Sequence, residues 1–160
     1  MNETKDSRDE TPDERADRNW ADLMQELRVS QTGVQLLAAF LVTLPFQSRF
    51  TELDTFQQRW YLGLLALAFL TVGVTLSPVA IHRHLFQGGS KPDVVRAAHV
   101  MTGLALGLIS LLLAGISFLV VDVVLSRGAA AVGGGLALLV ALSLLVVIPR
   151  VVAHKAGQST

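Results

Sequence analysis

The sequence predicts an all-α membrane protein, a bundle of four transmembrane helices with an N-terminal amphipathic helix. Three observations predict it. Four long apolar runs fill residues 29–152, and none carries a charged residue at its centre. The chain is 51% hydrophobic and only 16% charged, with mean hydropathy +0.50, where a soluble domain carries about a quarter charged residues. The charges are also segregated: residues 1–28 hold nine acids and five bases, and residues 29–160 hold four acids and eight bases. The zero net charge averages an acidic tail with a basic membrane body, and neither part is basic enough to suggest nucleic acid.

The chain has no cysteine, which excludes disulfides, thiolate metal centres and cysteine nucleophiles. The first apolar run starts only at Val29, behind an acidic stretch. That is not the pattern of a secretory signal peptide, so insertion is expected to be driven by the spans themselves.

Residues 1–14 are polar and charged without apolar periodicity, which predicts a disordered acidic tail. Over residues 15–28, Trp20, Leu23, Met24 and Leu27 recur at helical spacing with Asp17, Asp22 and Glu26 opposite, an amphipathic surface helix. Such a helix would hold Trp20 at headgroup depth. The four-span domain then occupies residues 29–153, and a short polar tail covers 154–160.

The first span is expected over residues 29–46, ending near Pro45. In the following loop Asp54 and Gln57 have capping-box spacing, and Trp60 and Tyr61 stand where an aromatic belt would. The second span is expected over 60–81, with Ser77-Pro78 able to kink it and Gly88-Gly89 ending the helix. Ser90-x-x-Asp93 with Pro92 marks the next helix start. The third span, 98–125, is long enough to tilt or protrude. Ser126-Arg127-Gly128 reads as a tight turn, and the fourth span, 129–152, as broken late by Pro149.

Lys and Arg set the orientation. Arg15, Arg18, Arg28, Arg83, Lys91, Arg96, Arg150 and Lys155 share one side of this threading, against Arg49, Arg59 and Arg127 on the other. The positive-inside rule then puts both termini in the cytosol, for a multi-pass protein of the cytoplasmic membrane.

Four features are candidates for function. On the first span Arg28, Gln31, Thr32, Gln35 and Thr43, with Ala39, form one stripe, and Val34, Leu37, Leu41 and Leu44 lie opposite. Amides and hydroxyls are costly in lipid, so the stripe is expected to face other helices or a water-filled space. It either fixes helix packing or lines a solute path, and Arg28 also fits a snorkelling anchor. Asp122, the one carboxylate within a span, lies close to the end of the third. It is a candidate ion or proton site by its position in the membrane, or a hydrated helix-end acid with Arg127 near in sequence as a partner. Gly103-x-x-x-Gly107 and Gly133-Gly134-Gly135 fit close helix packing, within the bundle or between copies. His82, Arg83, His84, Arg96 and His99 cluster at the cytosolic loop. His-x-His on a helix sets its two rings about 200° apart, so an interfacial basic patch on lipid phosphate fits better than a metal site. No metal site, cofactor, phosphate loop or nucleophile–base pair can be assembled from the loops.

The series Glu26-Leu27-Arg28, Gln31-Thr32-Gly33-Val34-Gln35, Phe40-Leu41, Thr43-Leu44-Pro45-Phe46 and Arg49-Phe50, with Ser77-Pro78 and His82-Arg83 to Phe86, resembles a family of short four-span bacterial membrane proteins, common in actinobacteria and of unknown function. The resemblance covers most of the chain from about Arg15 to Val124. It marks Glu26, Arg28, Gln31, Gln35 and Arg49 as family-pattern residues and names no mechanism. Some members carry a sodium/proton antiporter label, which implies cation/proton exchange as a candidate activity. The residues themselves favour a non-enzymatic integral membrane protein acting through helix packing, lipid contact or a partner. The alternative is a small cation or proton transporter working as an oligomer. The lipid bilayer is the first partner, and a second copy of the chain or another membrane or cytosolic protein are the further classes.

Overall fold

The computed structural model describes the backbone of residues 12–85 and 91–156. The chain forms α1 (Pro12–Thr43), α2 (Thr55–Leu85), α3 (Lys91–Val124), α4 (Arg127–Leu142) and α5 (Ile148–Ala156). A π-helical turn, Ser143–Val147, joins α4 to α5, and two 3-10 turns, Leu44–Phe46 and Ser48–Glu52, lie between α1 and α2. No strand occurs among the described residues. Four segments are long and apolar enough to cross a membrane: Met24–Phe46, Thr55–Ala80, Val100–Val124 and Arg127–Val151. The protein is all-α, with four such helices.

The helix α3 is the hub. It packs against α1, α2 and α4, while α1 also packs on α2, and α4 with its π turn rests on α3 alone among the described residues. The core cluster joins Ala38 and Leu41 of α1, Tyr61, Leu64 and Ala68 of α2, and Leu112 and Leu119 of α3. Shape complementarity is what such a core contributes, since acyl chains are as apolar as leucine and burial alone drives little.

Two glycines set how closely the helices approach. Gly134 lies against α3, where a Cβ would sit 3.0 Å from Phe118 Cβ and 3.2 Å from the Ala114 carbonyl oxygen. Ala130, Gly134 and Ala141 are the buried residues of α4, so its contact seam is built from the smallest side chains available. Gly115 of α3 meets α2, and a Cβ there would collide with the Leu64 side chain. The packing role expected of the glycine run at 133–135 therefore holds within the chain for Gly134, and for Gly133 against Val121. Gly107 has open space where a Cβ would go.

Several expectations change in detail. The amphipathic residues 15–28 are helical, but they belong to the same unbroken helix as the first span, which begins at Pro12. No loop or cap separates them, so α1 continues along the axis of the span; Trp20's side chain is outside the described residues. Tyr61 is not a belt residue: it is 2% exposed, and its hydroxyl donates to the Leu41 carbonyl at 3.0 Å. In an α-helix that carbonyl would accept the N–H of residue 45, and residue 45 is a proline without one. Tyr61 fills the gap that Pro45 opens, and the Phe50 ring packs edge-on against it with centroids 5.1 Å apart. Trp60 likewise turns inward, its indole N–H donating to the Gly115 carbonyl at 3.0 Å.

Pro78 and Pro149 do not end the run of helix around them. Pro78 is buried inside α2, which continues to Leu85. Ahead of Pro149 the helix widens into the π turn, where the Ile148 N–H bonds the Ser143 carbonyl, and α5 then carries on to Ala156. One extra residue in a turn is a known way for a helix to absorb a missing N–H and ring. Gly88-Gly89 and Ser90 lie outside the described residues.

Candidate functional site

Two groups of polar residues stand out within the membrane-crossing part. The first is a charged clamp where the α1–α2 loop meets the α3–α4 turn. Asp54 caps α2: its Oδ1 accepts the Gln57 N–H at 2.8 Å, and the Gln57 Oε1 accepts the Asp54 N–H at 3.0 Å. This is the reciprocal capping box expected from the spacing. Gln57 then uses the other half of its amide, donating from Nε2 to Asp122 Oδ2 at 3.1 Å.

Arg127 closes the clamp. Its Nη2 lies 2.8 Å from Asp54 Oδ2 and 3.2 Å from Asp122 Oδ2, and its Nε donates to Asp122 Oδ1 at 3.4 Å. The Asp122 side chain is 3% exposed, while those of Arg127 and Asp54 are about half exposed. The Arg127 guanidinium also lies 4.0 Å above the Phe56 ring, within cation–π range. Phe56 stacks on Trp60, and Trp60 packs on Phe118 with centroids 4.5 Å apart. An aromatic floor thus supports the ionic network on its membrane side. The capping bond from Gln57, aided by Arg127, holds the Asp54 carboxyl below its ordinary range, against some desolvation.

Asp122 is therefore a partnered acid near a helix end, with Arg127 as its counter-ion and every carboxylate oxygen engaged. Sequence reasoning found the cap, and Asp122 with Arg127 as its candidate partner, but left the two unconnected. It missed that Gln57 bridges the cap to Asp122, and it passed over Phe56. One signal was available: four spans put residues 47–59 and 126–128 at the same end of the bundle.

The second group is the stripe on α1. Within the chain it lies outside the packing seam of α1. Leu27, Val34, Ala38 and Leu41 are the buried residues of α1, a seam of heptad-like spacing. The stripe lies roughly a third of a turn away from that seam. Arg28, Thr32, Gln35, Ala39 and Thr43 are exposed, and Gln31 is half-buried at the edge of the seam. Thr32 donates to the Arg28 carbonyl at 3.0 Å and Thr43 to the Phe40 carbonyl at 2.8 Å, so both hydroxyl protons are satisfied by their own helix. The Gln31 and Gln35 amides have no hydrogen-bond partner among the described residues.

The remaining candidates lie apart from both groups. Glu26 is exposed beside Asp22 and Gln25 along an open groove of α1. Arg49 pairs with Glu52 at 3.4 Å in the α1–α2 loop, with both side chains largely in solvent, an arrangement of little energetic weight. The side chains of His82, Arg83, His84, Arg96 and His99 lie outside the described residues; their backbone ends α2 and opens α3.

Sequence comparison adds one positive finding. The profile of a family of unknown function, DUF6328, matches residues 9–149, and the chain belongs to that family. The match takes in all of the first three spans and nearly all of the fourth, and so includes both the clamp and the stripe. No curated protein and no solved structure matches the chain.

Proposed function

We propose that this member of a family of unknown function is a non-catalytic multi-pass membrane protein that works by lateral association in the bilayer, with the stripe of α1 as its binding face. One observation carries the reading. Gln35 is the middle residue of the 23-residue apolar segment Met24–Phe46, it is exposed on the chain's surface, and its amide is unpartnered. An unpaired amide at mid-membrane is costly, and nothing else among the described residues covers it. The contrast with the second and third spans supports the same reading. Every exposed position of α2 from Leu62 to Ala80, and of α3 from Val100 to Val124, is apolar or glycine. Those faces suit acyl chains and the α1 face does not.

The clamp then serves as a fastener. It ties the start of α2 to the turn between α3 and α4, where α4 otherwise rests on α3 alone among the described residues. Cation or proton transport would need a carboxylate free to exchange its ligand. Asp122 has Arg127 and Gln57 on its oxygens and stands near a span end, whereas coupled-transport sites lie near the midplane.

Extraction into native lipid nanodiscs tests the reading. The intact chain is expected in particles larger than one chain, and Gln31→Leu with Gln35→Leu shifts it toward single chains. A wild-type chain that is monomeric in native lipid would overturn it. Proteoliposomes of the purified chain are expected to show no pH-driven or cation-driven flux; flux abolished by Asp122→Asn would replace this reading with transport.

A further inference from the structure

The stripe has a chemistry that selects its partner. We infer that its occupant is a second copy of this chain, joined through α1 in a parallel two-fold dimer in which the Gln35 amides of the two copies bond each other at mid-bilayer. The inference rests on the lateral-association reading above and names its partner.

The argument is one of complementarity at equal depth. Copies inserted with the same topology and related by a two-fold axis along the membrane normal place each residue at the level of its twin. A two-fold interface must be self-complementary, because the same patch serves on both sides. A carboxamide meets that demand, having an N–H donor and a carbonyl acceptor in one group. Two such groups face to face satisfy each other with no residue of a different kind. A charged stripe would repel its copy at that depth, and an apolar one would have no preference over lipid.

The neighbours of Gln35 fit the same geometry. Ala39 lies one turn along the stripe and is small enough to let two helices approach. Thr32 and Thr43 have committed their hydroxyl protons to their own helix, which leaves methyl groups and an oxygen lone pair on the surface. Leu36, 62% exposed, and Val42, 43% exposed, flank the stripe on its two sides and provide an apolar rim around the polar centre. The one repeated charge, Arg28, sits at the hydrated end of the stripe, within snorkelling reach of headgroup phosphate.

The chain has no cysteine, so single cysteines report proximity without a background. In oxidised membranes, Gln35→Cys, Ala39→Cys and Thr32→Cys are expected to give a disulfide dimer at least ten times faster than Val29→Cys and Phe40→Cys, which lie on another face of α1. Gln35→Leu is expected to weaken dimerisation roughly three- to thirtyfold, the range measured for single interhelical hydrogen bonds in membranes, and Gln35→Asn to weaken it less. Dimers that form at Phe40→Cys but not at Ala39→Cys would overturn the assignment. A photoreactive residue at position 39 in native membranes separates the two proposals. An adduct of twice the 17.2 kDa chain supports the second copy. An adduct with a different protein refutes the second copy while sparing lateral association, and no adduct at all refutes both.

Discussion

Asp122 and Arg127 face each other across the α3–α4 turn at 3.2 Å, and each stands at the helix end that disfavours its charge. Asp122 is in the last turn of α3, where the helix presents its negative pole, and Arg127 is the first residue of α4, at the positive pole. Each charge is a poor choice for its own helix and a good one for its neighbour. The pair therefore specifies how the two helices meet, and Asp54 and Gln57 extend that specification to α2.

Arg127→Ala is expected to destabilise the protein more than the Asp122→Asn, Arg127→Ala double variant. The single change leaves a nearly covered carboxylate without its cation, which is worse than having neither charge. Replacing Asp122 as well is expected to recover roughly half of the loss, the signature of a coupled pair. Thermal unfolding in a fixed detergent measures it, and strictly additive losses would show that the two side chains do not act together.

Asp54 gives the clamp a pH dependence. Its carboxyl titrates below the ordinary value, chiefly because the Gln57 N–H bonds the ionised form. A group whose pKa is depressed by folding contributes stability above its unfolded pKa, about 3.9 for Asp, and loses it as pH falls through the lower folded value. The melting temperature of the intact protein is expected to drop as pH is lowered from about 4. Asp54→Asn keeps the cap and removes the charge, so its melting temperature should be lower at neutral pH and flatter across that acid range. Parallel curves for the two proteins would assign the acid sensitivity elsewhere.

What the sequence revealed follows from which interactions are local. The spans were legible because twenty-odd apolar residues in a row have few soluble alternatives. The cap of Asp54 and Gln57 was legible because its partners are three residues apart, and the pairing of Asp122 with Arg127 because they share a turn. The direction of the α1 stripe was not. A helical wheel shows that one face is polar, but which face meets α2 and α3 depends on side chains of those helices. Ala38 and Leu41 decided it by fitting beside Tyr61 and Leu64. The inward turn of Tyr61 was hidden for a similar reason, since the acceptor it serves, the Leu41 carbonyl twenty residues away, is left open by Pro45.

Gly134 is expected to tolerate little. A Cβ there meets the Phe118 Cβ at 3.0 Å and the Ala114 carbonyl at 3.2 Å, and a backbone atom cannot swing aside. Gly134→Ala should cost about 1–3 kcal/mol, the usual range for overpacking, and Gly134→Val more. Gly135, one residue on, has open space at its Cβ, so Gly135→Ala should be neutral or slightly stabilising through helix propensity. Reversible unfolding of the two alanine variants side by side checks it; equal effects would mean that α4 is not seated at Gly134.

The bond from Tyr61 to Leu41 permits a sharper test, because a second change can remove its reason to exist. Tyr61→Phe leaves the buried Leu41 carbonyl short of a donor and should cost about 1–2 kcal/mol. Pro45→Ala restores an N–H four residues beyond Leu41, and the helix can then satisfy that carbonyl itself. In the Pro45→Ala background Tyr61→Phe should therefore cost clearly less than in the wild type. Were the cost the same in both backgrounds, Tyr61 would matter for its ring in the core, edge-on to Phe50, and not for the proton it gives to a carbonyl that proline left open.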